Sequence, residues 1–163
     1  YDAQYWIKNF LSVKYADDRN QHTQSYLELC KEFSEEVIKP EFGKQEQSQF
    51  LANTVDYFKE NESVDYHAFK DEMFEEDKQK NMFDDYKKHF ETLNDVLIRN
   101  NFEVSDVVLK KEKQKIKSII KLDTNIEIKL DVDAPDAASE YLERGYDEEK
   151  KMYYYKVYFN EEK

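Results

Sequence analysis

Positive charge is concentrated in one short stretch of an otherwise acidic sequence. Between Val107 and Leu122, six lysines accompany the single acid Glu112. The six are Lys110, Lys111, Lys113, Lys115, Lys117 and Lys121. The stretch has a formal charge of +5 in a chain of net charge -12, so the remaining residues sum to -17. Lysine is a flexible point charge that suits phosphate oxygens but not the bidentate contacts that identify bases. The stretch therefore predicts sequence-neutral contact with the DNA backbone.

The spacing of these lysines supports this hypothesis but leaves an alternative. From Lys113 onward the sequence alternates as a strand does, which would place Lys111, Lys113, Lys115, Lys117 and Lys121 on one face at steps of roughly 6.6 to 6.8 Å. DNA presents one phosphate per ~3.4 Å along each strand, so such a row could meet every second phosphate. Lysines on an edge strand also protect a sheet from edge-to-edge aggregation. Both interpretations stay open.

Other polar residues offer little for catalysis or metal binding. Asp123, Glu127 and Lys129 resemble the D…ExK pattern of metal-dependent nucleases, but the two acids lie too close in sequence, so a nuclease is kept only as a hypothesis to test. The three histidines show no i, i+4 pair. Cys30 lies on the apolar stripe of a helix, where a buried small side chain is expected. We predict no catalytic residue, no metal site and no cofactor.

Aromatic residues dominate the end of the chain. The segment MYYYKVYF from Met152 to Phe159 predicts a strand with rings on both faces. One face would cover the core, while Tyr154 and Tyr158 on the other are candidate partner-binding residues, with base stacking as the alternative. Gly145 is expected to serve a backbone need, as a bulge or a position of positive φ.

Hydrophobic periodicity divides the chain near Asn100. Before it, apolar stripes at helical spacing predict helices, with a break at the polar run 16–21, an end at Pro40 and a cap at Ser63. These helices cover 5–13, 26–37, 50–58, 66–73 and 82–97. After it, a turn or two of helix capped by Ser105 precedes strands at 113–122 and 126–130, and a hairpin pairs 141–146 with 152–159.

These elements predict an α+β fold, an N-terminal helical bundle packed with a small C-terminal antiparallel sheet. We expect a single domain over 1–163, helical over residues 1–100 and strand-rich over residues 101–163, because 163 residues with 39% hydrophobic and 15% aromatic side chains can form one core. No window approaches ~20 apolar residues, and the first residues lack a signal-peptide pattern. The lone cysteine favours a reducing compartment. We therefore expect a cytoplasmic protein with no membrane contact.

Three segments resemble a known family, the 37-kDa nucleoid-associated bacterial proteins, also called the NdpA or YejK family. They are YWIKNFLSVKYADDRNQHTQSYLELCKEF at 5–33, IKSIIKLDTNIEIKL at 116–130 and ERGYDEEKKMYYYKVYFNEE at 143–162. The most specific pieces are IKLD at 120–123 and the segment 143–159. The resemblance implies association with the bacterial nucleoid and DNA binding, without enzymatic activity, and supplies no catalytic residue. Members of the family are longer, so we expect this chain to be the C-terminal portion of a longer protein.

Two hypotheses for function follow. In the first, the chain is a non-enzymatic bacterial nucleoid-associated protein that binds double-stranded DNA without sequence preference or is tethered to the nucleoid. In the alternative, it is a protein-interaction or dimerisation module whose acidic face engages basic partners, with the DNA contacts in a missing N-terminal region. The expected partners are double-stranded DNA, nucleoid proteins and a second copy of the chain as a homodimer.

Overall fold

The computed structural model describes residues 3–116, 118–130 and 140–163, and within them it leaves out the side chains of 3–6, 9–16, 118 and 119. Helices come first and short antiparallel strand pairs follow, so the predicted α+β class is confirmed. The helical portion consists of α1 (Ala3–Phe33), a π-helical segment (Ser34–Ile38), α2 (Lys39–Phe42), α3 (Lys44–Glu60), α4 (Tyr66–Met73) and α5 (Asp77–Asn94). The strand-rich portion consists of β2 (Asn101–Glu103), α6 (Asp106–Lys113), β3 (Ser118–Lys121), β4 (Glu127–Leu130), β5 (Leu142–Asp147) and β6 (Met152–Val157). The short strand β1 (Ser63–Asp65) lies between α3 and α4.

The first helix is continuous through the polar run where a break was predicted, so that prediction was wrong. α1 covers 31 residues. Its polar residues make contacts with the start of α6, which no local pattern shows: the Ser105 amide donates to Thr23 Oγ1 at 2.9 Å, and Ser105 Oγ donates to Asn20 Oδ1 at 2.5 Å. These hydrogen bonds give the polar side chains a reason to remain in a helix.

The end of this long helix also differs from the prediction. The helical run that begins with α1 does not stop at Pro40. Pro40 lies in the first turn of α2, where a missing backbone N–H is tolerated. The helix ends at Phe42, and Gly43 follows with φ of 97°, a left-handed conformation that a residue with a Cβ rarely adopts. The chain then turns directly into α3.

Aromatic rings form the core, as the sequence predicted. The rings of Phe33 and Phe83 meet edge to face with centroids 4.9 Å apart, and those of Tyr26 and Phe69 do so at 5.2 Å. The largest fully buried rings are Tyr26, Phe33, Phe58, Phe69 and Phe83. Such pairs add to the free energy of burial because ring edges and faces carry opposite partial charge. Cys30 is buried among them, as expected.

Two predicted helix ends were wrong. Asp65, not Ser63, caps α4, since its carboxylate accepts from the Ala68 amide at 2.9 Å. Ser63 instead pairs with Glu103 in the antiparallel pair β1–β2, which is too short for alternation to reveal it. At the other end, α5 stops at Asn94 because Asp95 adopts φ of 51°, and Leu97 beyond it is 75% exposed.

The two predicted hairpins are confirmed, with shorter strands. β3 pairs with β4 and β5 pairs with β6, each antiparallel. The predicted strand from residue 113 was wrong in its first half, because α6 extends to Lys113 and β3 begins only at Ser118. Among the described residues the strands form three separate two-stranded sheets.

The strand-rich portion packs against α3. Gln45 Nε2 donates to the Leu142 carbonyl oxygen at 2.8 Å, and the Leu142 side chain is only 4% exposed. Ile120 of β3 is 2% exposed. In the segments of the chain that the structure describes, no helix has the length and apolar character needed to cross a membrane.

Two core tyrosines differ in how their hydroxyls are satisfied. The Tyr26 hydroxyl is buried without a hydrogen-bond partner among the described residues, and burial raises the pKa of its phenol well above the usual range. The Tyr66 hydroxyl donates to Asp84 Oδ1 at 2.5 Å, and Lys70 Nζ lies 2.8 Å from the same oxygen. Burial raises the pKa of the Asp84 carboxyl, but these two hydrogen bonds outweigh burial and leave it lowered.

Removing the two hydroxyls should therefore have different effects. Tyr26→Phe removes an unsatisfied buried group, so we expect the free energy of unfolding to stay the same or rise by up to about 1 kcal/mol. Tyr66→Phe removes a hydrogen bond to a carboxylate and should lower it by about 1–2 kcal/mol. Urea unfolding followed by far-ultraviolet circular dichroism measures both. An equal loss of unfolding free energy in the two variants would contradict the finding that only the Tyr66 hydroxyl has a hydrogen-bond partner among the described residues.

Candidate nucleic-acid interface

Helix α6 positions three of the six predicted lysines. Ser105 caps it, as predicted, by accepting from the Val108 amide at 3.3 Å. Leu109 and Glu112 are buried, so Lys110 and Lys111 project into solvent on the opposite face. Lys113 ends the helix and is partly buried. Lysines in a last turn also complement the negative end of the helix dipole.

The remaining lysines do not extend this face, so the predicted single row on a strand was wrong. Lys115 Nζ lies 3.2 Å from Glu112 Oε1, whose side chain is 5% exposed, so this lysine balances a buried carboxylate. Lys117 lies outside the described residues. Lys121 is exposed at the end of β3. The lysines do not form one row because α6 and the turn after it contain the first half of the lysine stretch, and β3 begins only at Ser118.

Strand β3 leads Lys121 to the start of α3. Ile116 lies beside Gln47 and Leu51 of α3, whereas Leu122 lies beside its first residues. Leu122 therefore lies nearer to the N-terminus of α3 than Ile116 does. This placement brings Lys121 next to side chains from two distant regions of the sequence.

A cleft of about 440 Å³ forms at this meeting point. We call it the basic cleft, because the cations Lys44, Lys121 and Arg144 line it together. The rest of its lining comes from Phe42, Gly43, Gln45, Glu46, Ile120, Leu122, Tyr153, Tyr154 and Tyr155. The first residues of α3 belong to this lining, and the positive end of a helix dipole favours an anion. The cleft thus combines three cations with tyrosine rings.

Arg144 is held in place by the hairpin. Its guanidinium lies over the Tyr153 ring, 4.4 Å from the centroid, and Tyr153 in turn meets Tyr146 edge to face at 4.9 Å. A guanidinium stacked on a ring keeps its N–H groups free at the edge of its plane. Arg144 can therefore bind a phosphate with two parallel hydrogen bonds.

Acidic residues moderate the charge of the basic cleft. Glu46 belongs to its lining, and Glu127 stands opposite Lys121 in the β3–β4 register. Lys44 helps to lower the pKa of Glu35, after larger effects of hydrogen bonds from Lys39 and Gln47. The arrangement suits moderate attraction of phosphate more than tight capture of a single ion.

The candidate tyrosines of the hairpin have different surroundings. Tyr154 lines the basic cleft and is 41% exposed. Tyr158 is half-exposed, its hydroxyl donates to Glu143 Oε2 at 3.0 Å, and its amide donates to the Tyr141 carbonyl oxygen at 2.9 Å. The structure therefore places only Tyr154 beside the lysine stretch.

The residues of the nuclease-like pattern lie on the β3–β4 hairpin. Asp123 is in the turn, and Glu127 and Lys129 are exposed on β4. Across the described residues, no three His, Cys, Asp or Glu side chains come together as metal ligands would. These positions match alternating charges on a solvent-facing strand.

Sequence reasoning missed Lys44 and Arg144. The two cations lie 100 positions apart, and only the packing of the hairpin on α3 brings them together. One sequence feature could have pointed to Arg144 as a site residue, because it precedes Gly145 within the hairpin predicted from ERGYD. For Lys44, the sequence offered only its position after Gly43.

Gly145 leaves space for the Tyr154 ring, so both predicted backbone roles were wrong. Its φ lies outside the positive region, and the β5–β6 register runs without a bulge from Leu142 opposite Val157 to Asp147 opposite Met152. A Cβ at position 145 would overlap the end of the Tyr154 ring. The glycine lets an aromatic side chain cover the strand opposite, which stabilises a hairpin.

We predict opposite effects of Gly145→Val in two backgrounds. In the natural sequence, valine displaces the Tyr154 ring and should destabilise the hairpin by about 0.5–1 kcal/mol. With Tyr154→Ala already present, the same valine meets no ring and should be neutral or stabilising, because valine favours strands. Amide hydrogen exchange of Leu142–Asp147 reports the local stability. The same loss in both backgrounds would rule out this role for the glycine.

Comparison with known proteins agrees with the resemblance seen in the sequence. The sequence model of a family described as nucleoid-associated protein YejK matches residues 1–153. No curated protein and no solved structure matched the chain. The match covers α1 through the start of β6, and so includes the basic cleft except for the last two of its tyrosines. The chain therefore belongs to the YejK family of nucleoid-associated proteins.

Proposed function

We propose that this protein is a non-enzymatic nucleoid-associated protein that binds double-stranded DNA through its phosphates, without reading base sequence. The observation that carries the proposal is the basic cleft, where Lys44, Lys121 and Arg144 meet at the N-terminal end of α3. The family supports the same conclusion, since its members are described as nucleoid-associated. The proposed location is accordingly the nucleoid in the cytoplasm, with DNA and nucleoid proteins as partners.

Segregation of charge allows an acidic protein to bind DNA in this way. The net charge of -12 repels phosphate at long range, but the potential near a surface depends on the nearest charges within about one Debye length, ~8 Å at physiological salt. In the basic cleft these nearest charges are mostly positive. Lys110 and Lys111 on the exposed face of α6 add further phosphate contacts along the same stretch of chain.

The absence of sequence preference follows from the types of side chain. Lysines contact phosphates as point charges, and Arg144 is the single arginine in the described lining of the basic cleft. Affinity should therefore fall steeply with salt and vary little with base sequence.

Charge reversal in the basic cleft tests this proposal. We expect Lys121→Glu with Arg144→Glu to weaken binding of a duplex about tenfold or more and to reduce the slope of log affinity against log salt by about 2, one unit for each lost phosphate contact. The matched control is Lys78→Glu with Lys88→Glu on the exposed side of α5, which changes the net charge equally. Fluorescence anisotropy with labelled duplexes of two unrelated sequences measures both quantities.

Three results would contradict the proposal. These are no binding to either duplex at low salt, an equal loss in the control variant, or a strong preference between the two duplexes. Incubation with Mg²⁺ should leave the duplex intact, and cleavage that disappears with Asp123→Ala would favour the nuclease hypothesis.

A second function, homodimerisation, is favoured by the free side of the last hairpin. Within the described segments of the chain, β6 pairs only with β5, and its exposed side chains include Met152, Tyr153 and Val157. An unpaired edge with apolar side chains is a template for adding a strand from a second copy.

We expect a dimer through this edge to be disrupted by charge. Val157→Lys places a like charge at the edge in both copies and should shift the protein from dimer to monomer. Light scattering during size-exclusion chromatography, over a range of concentrations, gives the mass directly. A natural chain that is monomeric at every concentration would remove this second function.

A further inference from the structure

A second pocket lies on the other side of the start of α3. It has a volume of about 350 Å³ and lies among α2, α3, the end of α4 and the start of α5. We call it the acidic pocket, because Glu46, Glu75 and Glu76 line it and no Lys or Arg is among its described lining residues. Phe42 and Glu46 line both this pocket and the basic cleft. A volume of this size lies at the small end of ligand sites, which span about 300–1,000 Å³.

The buried lining of the acidic pocket is aromatic. Phe50 and Phe74 are stacked with centroids 5.7 Å apart, and the Phe33 ring meets both of them edge to face. Met73 and Met82 are partly buried beside these rings, whereas Phe42 is 45% exposed. Rings and thioethers suit an apolar stem, and exposed ring faces attract a cation.

The charged lining is available to a ligand. Glu46, Glu75 and Glu76 are exposed, and in the described segments of the chain none of them forms an ion pair. Their carboxylates accept hydrogen bonds without donating any. The complementary ligand group is therefore a cation with N–H donors.

We propose that the acidic pocket binds the lysine or arginine side chain of a basic polypeptide segment. The aliphatic stem packs on the rings and thioethers, and the charged end meets the carboxylates. A polypeptide fits better than an isolated cation because further exposed acids continue the negative surface around the pocket, and they can meet several positive residues of one segment. These acids are Glu41, Glu72 and Asp77. This proposal does not rest on the proposed DNA contact, although Phe42 and Glu46 line both sites.

The chain contains its own reporters for this site. Its three methionines are Met73 and Met82, which line the acidic pocket, and Met152, which is exposed on β6. The experiment titrates ¹³C-methyl-methionine protein with a synthetic lysine-rich peptide and follows the methyl signals by NMR. We expect the Met73 and Met82 signals to shift, because a cation enters the field of the neighbouring rings, while the Met152 signal stays in place. The proposal would be overturned if only the Met152 signal shifted. It would also be overturned if the peptide bound saturably and none of the three methyl signals shifted.

Variants separate this site from the diffuse negative charge of the protein. Glu75→Gln with Glu76→Gln should weaken peptide binding by up to about tenfold. Phe42→Ala should weaken it by about three- to fivefold, through loss of a cation–π contact at an exposed position. The matched control, Glu148→Gln with Glu149→Gln in the β5–β6 turn, removes the same charge elsewhere and should leave affinity within about twofold.

Two further outcomes would overturn the proposal. One is an equal loss in the control variant, which would show attraction by net charge. The other is displacement of the peptide by spermidine at equal concentration with the same dependence on Phe42, which would show a site for small cations. A peptide in which every lysine is acetylated should not shift the Met73 and Met82 signals, because acetylation removes the charge.

Discussion

The contact between the strand-rich portion and the first turn of α3 is the constraint on which the basic cleft depends. The hydrogen bond from Gln45 to the Leu142 carbonyl oxygen and the burial of Ile120 hold the two hairpins against the helix. Gly43 makes the contact accessible, because its φ of 97° ends one helix and immediately allows the next to begin. Without this contact, Arg144 and Lys121 would have no common cleft with Lys44.

The start of α3 therefore separates two surfaces of opposite charge. On one side lie the cations of the basic cleft, and on the other lie Glu75 and Glu76 of the acidic pocket. Phe42 and Glu46 belong to both linings. This separation accounts for how a chain of net charge -12 can present a cluster of cations. It also places the proposed surface for basic partners beside the proposed surface for DNA.

The sequence predicted features that depend on local patterns and missed those that depend on distant contacts. The α+β class, the ring-based core, the Ser105 cap and both hairpins follow from periodicity and cap chemistry, and all were confirmed. The polar run in α1 was mistaken for a break, because its partners are more than 80 positions away in sequence. The basic cleft could not be predicted for the same reason. Lys44 and Arg144 come together only when the hairpin packs on α3, and no local sequence pattern links them. The lysine stretch still belongs to the proposed interface, but it now consists of a helix face and the single cleft residue Lys121, not a row on a strand.

The most direct test of DNA binding at the basic cleft is an NMR titration with a short DNA duplex, in which backbone amide and methionine methyl signals are observed together. We expect the amide signals of Lys44, Lys121 and Arg144 to shift with saturation, while the methyl signals of Met73 and Met82 do not move. Shifts concentrated at the acidic pocket, or the absence of any shift in the basic cleft while DNA binds elsewhere on the chain, would contradict this assignment.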